Sequence, residues 1–228
     1  MLGIYDSGSG GLTSLCALRA LAPSADIFYR GDLLRAPYGT RSREELLPII
    51  RENLSDLRRH GCEHILIACM TASSLIPLLD EEERQGIFPI TDGVADRALA
   101  TTKAGRIGIV STTRTMREAR LRDRLLSHHI VPTESCADAL VPLAEKGEIS
   151  LQSEAVRKVI FTAVAPHKKA RVDTLILGCT HFPYFTDAFH ALMGEGVTLI
   201  PSGKVGAEEF LKQIPKDVLK GKGHIHFI

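Results

Sequence analysis

Short apolar runs alternate with longer amphipathic stretches along the whole chain, and the two periods predict different elements. Runs bounded by Gly, Pro, Asp or Ser predict strands at Leu2–Tyr5, Asp26–Tyr29, His64–Ala68, Phe88–Thr91, Arg106–Val110, His129–Pro132, Thr174–Leu177 and Val197–Ile200. Apolar residues at three- and four-residue spacing predict helices at Leu12–Leu21, Ser73–Arg84, Ala95–Thr102, Met116–Ser127, Ser153–Ala165, Thr186–Leu192 and Ala207–Gln213. One more helix lies between the second and third strands. There Ser42-Arg43-Glu44-Glu45 spells a capping box, Leu46, Ile50, Leu54 and Leu57 share a face, and Gly61 closes the run. Pro48 inside it predicts a kink or a later start. Strands alternating with helices give an α/β class with mainly parallel sheets.

No linker rich in Pro, Gly or Ser divides the chain, but one internal echo does. His64-Ile65-Leu66-Ile67-Ala68-Cys69 and Thr174-Leu175-Ile176-Leu177-Gly178-Cys179 both run from apolar strand to small residue to Cys, with Thr close behind. Two similar halves would place two similar loops at strand C-termini, the edge where open α/β sheets bind ligands. Facing halves would aim both thiols into one cleft.

Composition narrows the partner. With 28 basic against 27 acidic residues the net charge is +1, so no global field favours nucleic acid or an anionic membrane, and a small molecule is the expected ligand. No segment reaches the roughly 20 apolar residues of a membrane span, and the start MLGIYDSGSGG lacks a leader pattern, so the expected location is the cytoplasm. The five cysteines, at 16, 62, 69, 136 and 179, form no Cys-x-x-Cys pair and no zinc-finger spacing. They read as reduced thiols, with no metal site.

A Cys that follows a buried strand and opens a helix sits near unpaired backbone N–H groups and the positive end of a helix dipole. A lone buried Cys usually acts as a small hydrophobe, and that reading is kept for Cys16, Cys62 and Cys136. The matched contexts of Cys69 and Cys179 make those two the candidate chemical groups. Asp6-Ser7-Gly8-Ser9-Gly10-Gly11-Leu12 follows the first strand and opens a helix, where glycines let N–H groups approach an anion. It lacks the third Gly of a dinucleotide fingerprint and any Gly-Lys-Ser/Thr, so a turn or carboxylate site is preferred. Asp6 reads equally as a helix cap or an acid/base partner. Arg35–Thr40 reads as a rigid turn presenting Tyr38; Thr112, Thr113 and Thr115 as caps or ligand groups; His181 as structural or assisting Cys179; Glu145 as a solvated helix residue.

Taken together, these segments resemble the glutamate racemase family of the aspartate/glutamate racemase superfamily. The resemblance is carried by Asp6-Ser-Gly-Ser-Gly-Gly-Leu-Thr13, Tyr29-Arg-Gly-Asp32 leading to Pro37-Tyr-Gly39, Ala68-Cys-Met-Thr-Ala-Ser73 and Leu177-Gly-Cys-Thr-His-Phe-Pro183, in family order. It implies two pseudo-symmetric α/β lobes, 1–91 plus 203–228 and 92–202, with the active site in the cleft between them. It implies Cys69 and Cys179 as opposed acid/base thiols, one removing the α-proton and the other returning a proton to the opposite face. Asp6 is implied to serve Cys69, His181 to serve Cys179, and Glu145 to be the further acidic group near the second thiol. Ser7, Pro37, Tyr38, Gly39, Met70, Thr71, Thr115 and Thr180 fall on the substrate-binding motifs. The implied reaction interconverts L- and D-glutamate without any cofactor, supplying D-glutamate for peptidoglycan, and a homodimer is allowed rather than required.

Two positions depart from the family pattern. Met70 stands where the family has Asn, removing an amide beside the first thiol, and Leu199-Ile-Pro-Ser202 lacks the usual Asp before Ser. The expectation from Met70 is weakened glutamate turnover. Its alternatives are a sister racemase or isomerase with another substrate, or a non-catalytic paralogue that binds an amino acid or a protein.

Overall fold

The computed structural model describes residues 1–228. Nine strands form two sheets, parallel throughout. The first contains β1 (Leu2–Asp6), β2 (Ile27–Gly31), β3 (His64–Ile67), β4 (Ile87–Pro89) and β9 (Ile225–Phe227), in the order β4-β3-β1-β2-β9. The second contains β5 (Ile107–Ser111), β6 (Thr133–Cys136), β7 (Thr174–Gly178) and β8 (Thr198–Pro201), in the order β6-β5-β7-β8. Leaving β9 aside, the two orders are the same: the first strand of each lobe lies between its second and third. The internal echo thus has a topological basis, since β3 and β7 are both third strands. In such a sheet the order reverses between first and third strands, and ligands bind at the carboxyl ends there.

The helices are α1 (Leu12–Leu21), α2 (Arg43–Arg59), α3 (Met70–Leu75), α4 (Ile90–Thr101), α5 (Thr113–Glu118), α6 (Arg120–Leu126), α7 (Leu140–Glu145), α8 (Glu154–Lys169), α9 (Thr186–Met193) and α10 (Ser202–Leu211). The capping box forms: Glu45 N–H donates to Ser42 Oγ at 3.2 Å and Ser42 N–H to Glu45 Oε2 at 2.8 Å. Gly61 takes φ 79° where the run closes. α2 starts at Arg43 and runs through Pro48, so the later start is not found.

Besides α10, which begins at Ser202 rather than Ala207, four expected elements change, each for a local reason. His129 takes φ 61° and the Ile130 N–H returns to the Leu125 carbonyl, so His129 and Ile130 belong to the turn that follows α6 and the strand moves on to Thr133–Cys136. Ala119, at φ 58°, splits the single helix expected over Met116–Ser127 into α5 and α6. Pro77 converts the chain after α3 into one 3-10 turn at Ile76–Leu78, so no helix extends to Arg84. α4 begins at Ile90, directly after a shortened β4, because Ile90, Val94, Ala95 and Ala98 bury one face against the core.

The largest apolar cluster draws on both lobes, from Ile4, Leu66 and Phe88 to Ile109, Ile176 and Ile200. α10 packs on α1 and α4 and touches β3, β7 and β8, so it lies between the sheets.

Candidate active site

The carboxyl ends of β1, β3, β5 and β7 open on one interlobe cleft of about 640 Å³. Its lining includes Ser7, Pro37, Tyr38, Gly39, Cys69, Met70, Thr71, Thr115, Glu145, Cys179, Thr180 and His181. Every predicted site residue except Asp6 is therefore brought to the cleft.

Cys69 follows β3 and caps α3; its thiol donates to Ser7 Oγ at 3.4 Å. Burial, then the Asp6 carboxylate, pushes its pKa up to about 11. Cys179 follows β7, with Sγ 3.9 Å from His181 Nδ1. Burial pushes this thiol higher still. Both thiols therefore stay protonated at pH 7, and a thiolate formed in either is a strong base.

His181 Nε2 lies 2.6 Å from Glu145 Oε1, which also accepts from Ser9 Oγ at 2.8 Å. Burial raises the Glu145 carboxyl, but the His181 and Ser9 hydrogen bonds outweigh it and hold the group below the usual carboxylate range. An ionised carboxylate can only accept, so in the neutral tautomer of His181 that fits this contact Nε2 carries the proton. Nδ1 then presents a lone pair toward Cys179.

Asp6 is fully buried behind the cleft. It accepts from Gly8 N–H at 2.9 Å and from Thr180 Oγ1 at 3.2 Å, which ties the first-lobe loop to the second-thiol loop. Burial raises its pKa, opposed by His181 and these donors. The glycines of this loop have a packing cause: a Cβ on Gly10 would stand 2.5 Å from Thr180 Oγ1 and 2.7 Å from His181 Nδ1. Tyr29 fixes the same loop by donating to the Gly8 carbonyl at 2.6 Å.

The Tyr38 hydroxyl is turned away from the cleft, donating to Asp32 at 2.5 Å and lying 2.6 Å from Tyr5 Oη, with Asn53 beside them. Tyr38 and Gly39 nevertheless line the cavity. Thr71 and Thr115 meet across the lobes at 3.1 Å, and Thr112 bonds Thr115 at 3.0 Å. Met70 is 2% exposed and packs into the large apolar cluster while lining the cleft.

Sequence reasoning missed Ser9 as a partner of Glu145, and Asp138 and Lys146 as cleft-lining residues. Asp138 receives both the N–H and the hydroxyl of Thr113. Nothing in local spacing marked these groups: Ser9 acts across the lobes, and Asp138 and Lys146 flank the short α7. No group of three or more His, Cys, Asp or Glu side chains converges to hold a metal ion.

Residues 16–210 match the model of the Asp/Glu/hydantoin racemase family. The chain belongs to that family and is an amino-acid racemase. More particularly, it is similar to glutamate racemases. It is 32% identical to glutamate racemase 3 of Caldanaerobacter subterraneus subsp. tengcongensis, over 99% of this chain and 84% of that protein. It is 35% identical to the glutamate racemase of Aquifex aeolicus, over 97% and 84%. The fold superposes on a glutamate racemase isoform from Bacillus anthracis with TM-score 0.90 at 29% identity, covering 100% of this chain and 86% of that one. The Thermus thermophilus glutamate racemase in complex with β-chloro-D-alanine matches with TM-score 0.83 at 29% identity, over 100% and 85%.

Proposed function

We propose that this racemase interconverts L- and D-glutamate, with Cys69 and Cys179 alternating as base and acid. The observation that carries the reading is the pair of thiols at the ends of equivalent third strands, lining one cleft. One thiolate removes the α-proton, and the C–H electron pair delocalises toward the substrate carboxylate. The opposite S–H returns a proton to the other face, so the two thiols exchange protonation states and neither needs a second substrate. The substrate ammonium entering beside the buried sulfurs favours ionisation of one of them. His181 Nδ1 accepts the proton of Cys179, while Glu145 fixes the imidazole. Asp6 acts on Cys69 through its charge, which makes the Cys69 thiolate a stronger base, and through the loop it anchors. Ser7, Thr71, Thr115, Thr180 and the backbone around Pro37–Gly39 hold the substrate carboxylates.

The reading extends to context. The lobes divide at 1–91 plus 203–228 and 92–202, the protein works in the cytoplasm without a cofactor, and D-glutamate is supplied for peptidoglycan. No helix is long and apolar enough to cross a membrane. Met70 beside Cys69 favours a second reading, a racemase of a related amino acid, because the cleft there offers a thioether where an amide would bond the substrate.

Incubating the protein with L- or D-glutamate in deuterated water separates these outcomes. Deuterium should appear at Cα together with inversion, without added pyridoxal phosphate or metal. Exchange with another acidic amino acid but not glutamate would move the substrate; no exchange with any would leave an amino-acid-binding paralogue.

A further inference from the structure

The Glu145 carboxylate ends a six-residue helix, and its side chain is 42% exposed. A carboxylate so placed has water as a ready alternative partner, yet Oε1 sits on His181. Within its own lobe, His181 is its hydrogen-bonding partner; the other donor comes from across the cleft. That donor, Ser9, lies on a loop with little freedom. The Ser9 carbonyl accepts the Leu12 N–H at the start of α1 and the Tyr184 hydroxyl at 3.4 Å, and the preceding carbonyl is held by Tyr29. Ser9 itself is not among the residues that line the cleft.

We propose that Ser9 is a positioning residue for proton transfer at Cys179: from the opposite lobe its hydroxyl holds the Glu145 carboxylate on His181 Nε2, which keeps Nδ1 unprotonated and facing the thiol. Ser9, Glu145, His181 and Cys179 form a chain of contacts of 2.8, 2.6 and 3.9 Å that crosses from the first lobe to the second. Without the hydroxyl, Glu145 keeps only the Ser9 backbone N–H from the first lobe, its carboxylate is free to rotate toward solvent, and His181 samples the Nδ1–H tautomer, which cannot accept the Cys179 proton. The effect falls on the chemical step and leaves substrate binding alone.

The inference rests on the two-thiol reading, and its test keeps the two apart. Ser9→Ala and Ser9→Thr are compared with wild type for kcat and KM in both directions and for thermal midpoint, and 15N-histidine NMR reads the His181 tautomer. Ser9→Ala should lower kcat about two- to tenfold, the rate equivalent of one neutral hydrogen bond. KM should stay within about twofold, since Ser9 makes no cleft contact. Because enantiomers are equal in energy, kcat/KM must fall equally in both directions. Ser9→Thr, which keeps the hydroxyl, should restore most of the rate, and the single Nε2–H tautomer of wild type should become mixed in Ser9→Ala. An unchanged tautomer in Ser9→Ala, or a loss that Thr fails to restore, overturns the proposal. If wild type shows no glutamate turnover, the substrate reading falls, and the tautomer comparison still decides the role of Ser9.

Discussion

Serine at position 69 or 179 keeps the shape of the site but replaces a thiol with a hydroxyl far weaker as an acid. Since each turnover needs both groups, Cys69→Ser and Cys179→Ser should each lower racemisation by about 10²-fold or more, followed polarimetrically, with little change in thermal midpoint. Near wild-type activity in either variant removes that residue from the proton transfer. Met70 poses the opposite question. Its side chain is 2% exposed and shares a cluster with Leu2, Ile4 and Leu66, so it is anchored in the core rather than loose in the cleft. Met70→Asn should raise kcat/KM for glutamate by about two- to tenfold through a regained hydrogen bond. It should also lower the thermal midpoint, because a buried thioether becomes an amide. A fall in kcat/KM would show that Met70 belongs to a working pocket. The two thiols were legible in the sequence because strand, small residue and Cys recur with the same spacing. Glu145 had no such signal. Its polar neighbours are those of a solvated helix end, and only tertiary contact with His181 and Ser9 gives it a partner.

Element positions were readable where hydrophobic period and caps agree, as in α2, whose Ser42 and Glu45 bond reciprocally. They were not readable where one residue's backbone overrides the period: Ala119 divides a helix, and β6 (TESC) has no buried residue to announce it. β9 is three residues long and gains its identity only from pairing with β2. α8 carries a different hidden property. His167 is fully buried, with Nε2 2.7 Å from Ser135 Oγ on β6 and Nδ1 without a partner, close against Gly108 of β5. Burial pushes its pKa down to about 4. The unfolded chain titrates near the ordinary 6.5, so below that pH it binds a proton that the native state refuses. This contribution to stability is complete above about pH 6.5 and is lost as pH falls toward 4, amounting to ~3 kcal/mol. Urea midpoints at pH 7.5 and 5 should therefore differ more for wild type than for His167→Leu. Equal acid sensitivity in the two proteins would place the titration elsewhere.

At the scale of the whole molecule, two sheets of matching strand order suggest two folding units, but the packing joins them. The 26-residue cluster includes Ile4 and Leu66 from the first sheet with Ile109, Ile176 and Ile200 from the second. α4 of the second lobe packs on α10 of the first, and α10 reaches strands of both lobes. Polar links run the same way: Arg43 pairs with Glu118 at 2.8 Å, and Arg97 on α4 pairs with Glu208 on α10 at 2.9 Å. Solvent-accessible pairs like these contribute little each, on the order of 0–1 kcal/mol, so the shared apolar cluster is the dominant coupling. Chains of this length often unfold in stages, one unit at a time. Here neither lobe can open without exposing part of a core it shares with the other. Calorimetry should accordingly show one transition, with calorimetric and van't Hoff enthalpies equal. Ile176→Ala, which cuts a buried branch of β7 inside the shared cluster, should move that transition to lower temperature without splitting it. Two transitions in wild type would mean that the lobes are thermodynamically separate. A split only in Ile176→Ala would locate the coupling at that residue instead of across the whole interlobe core.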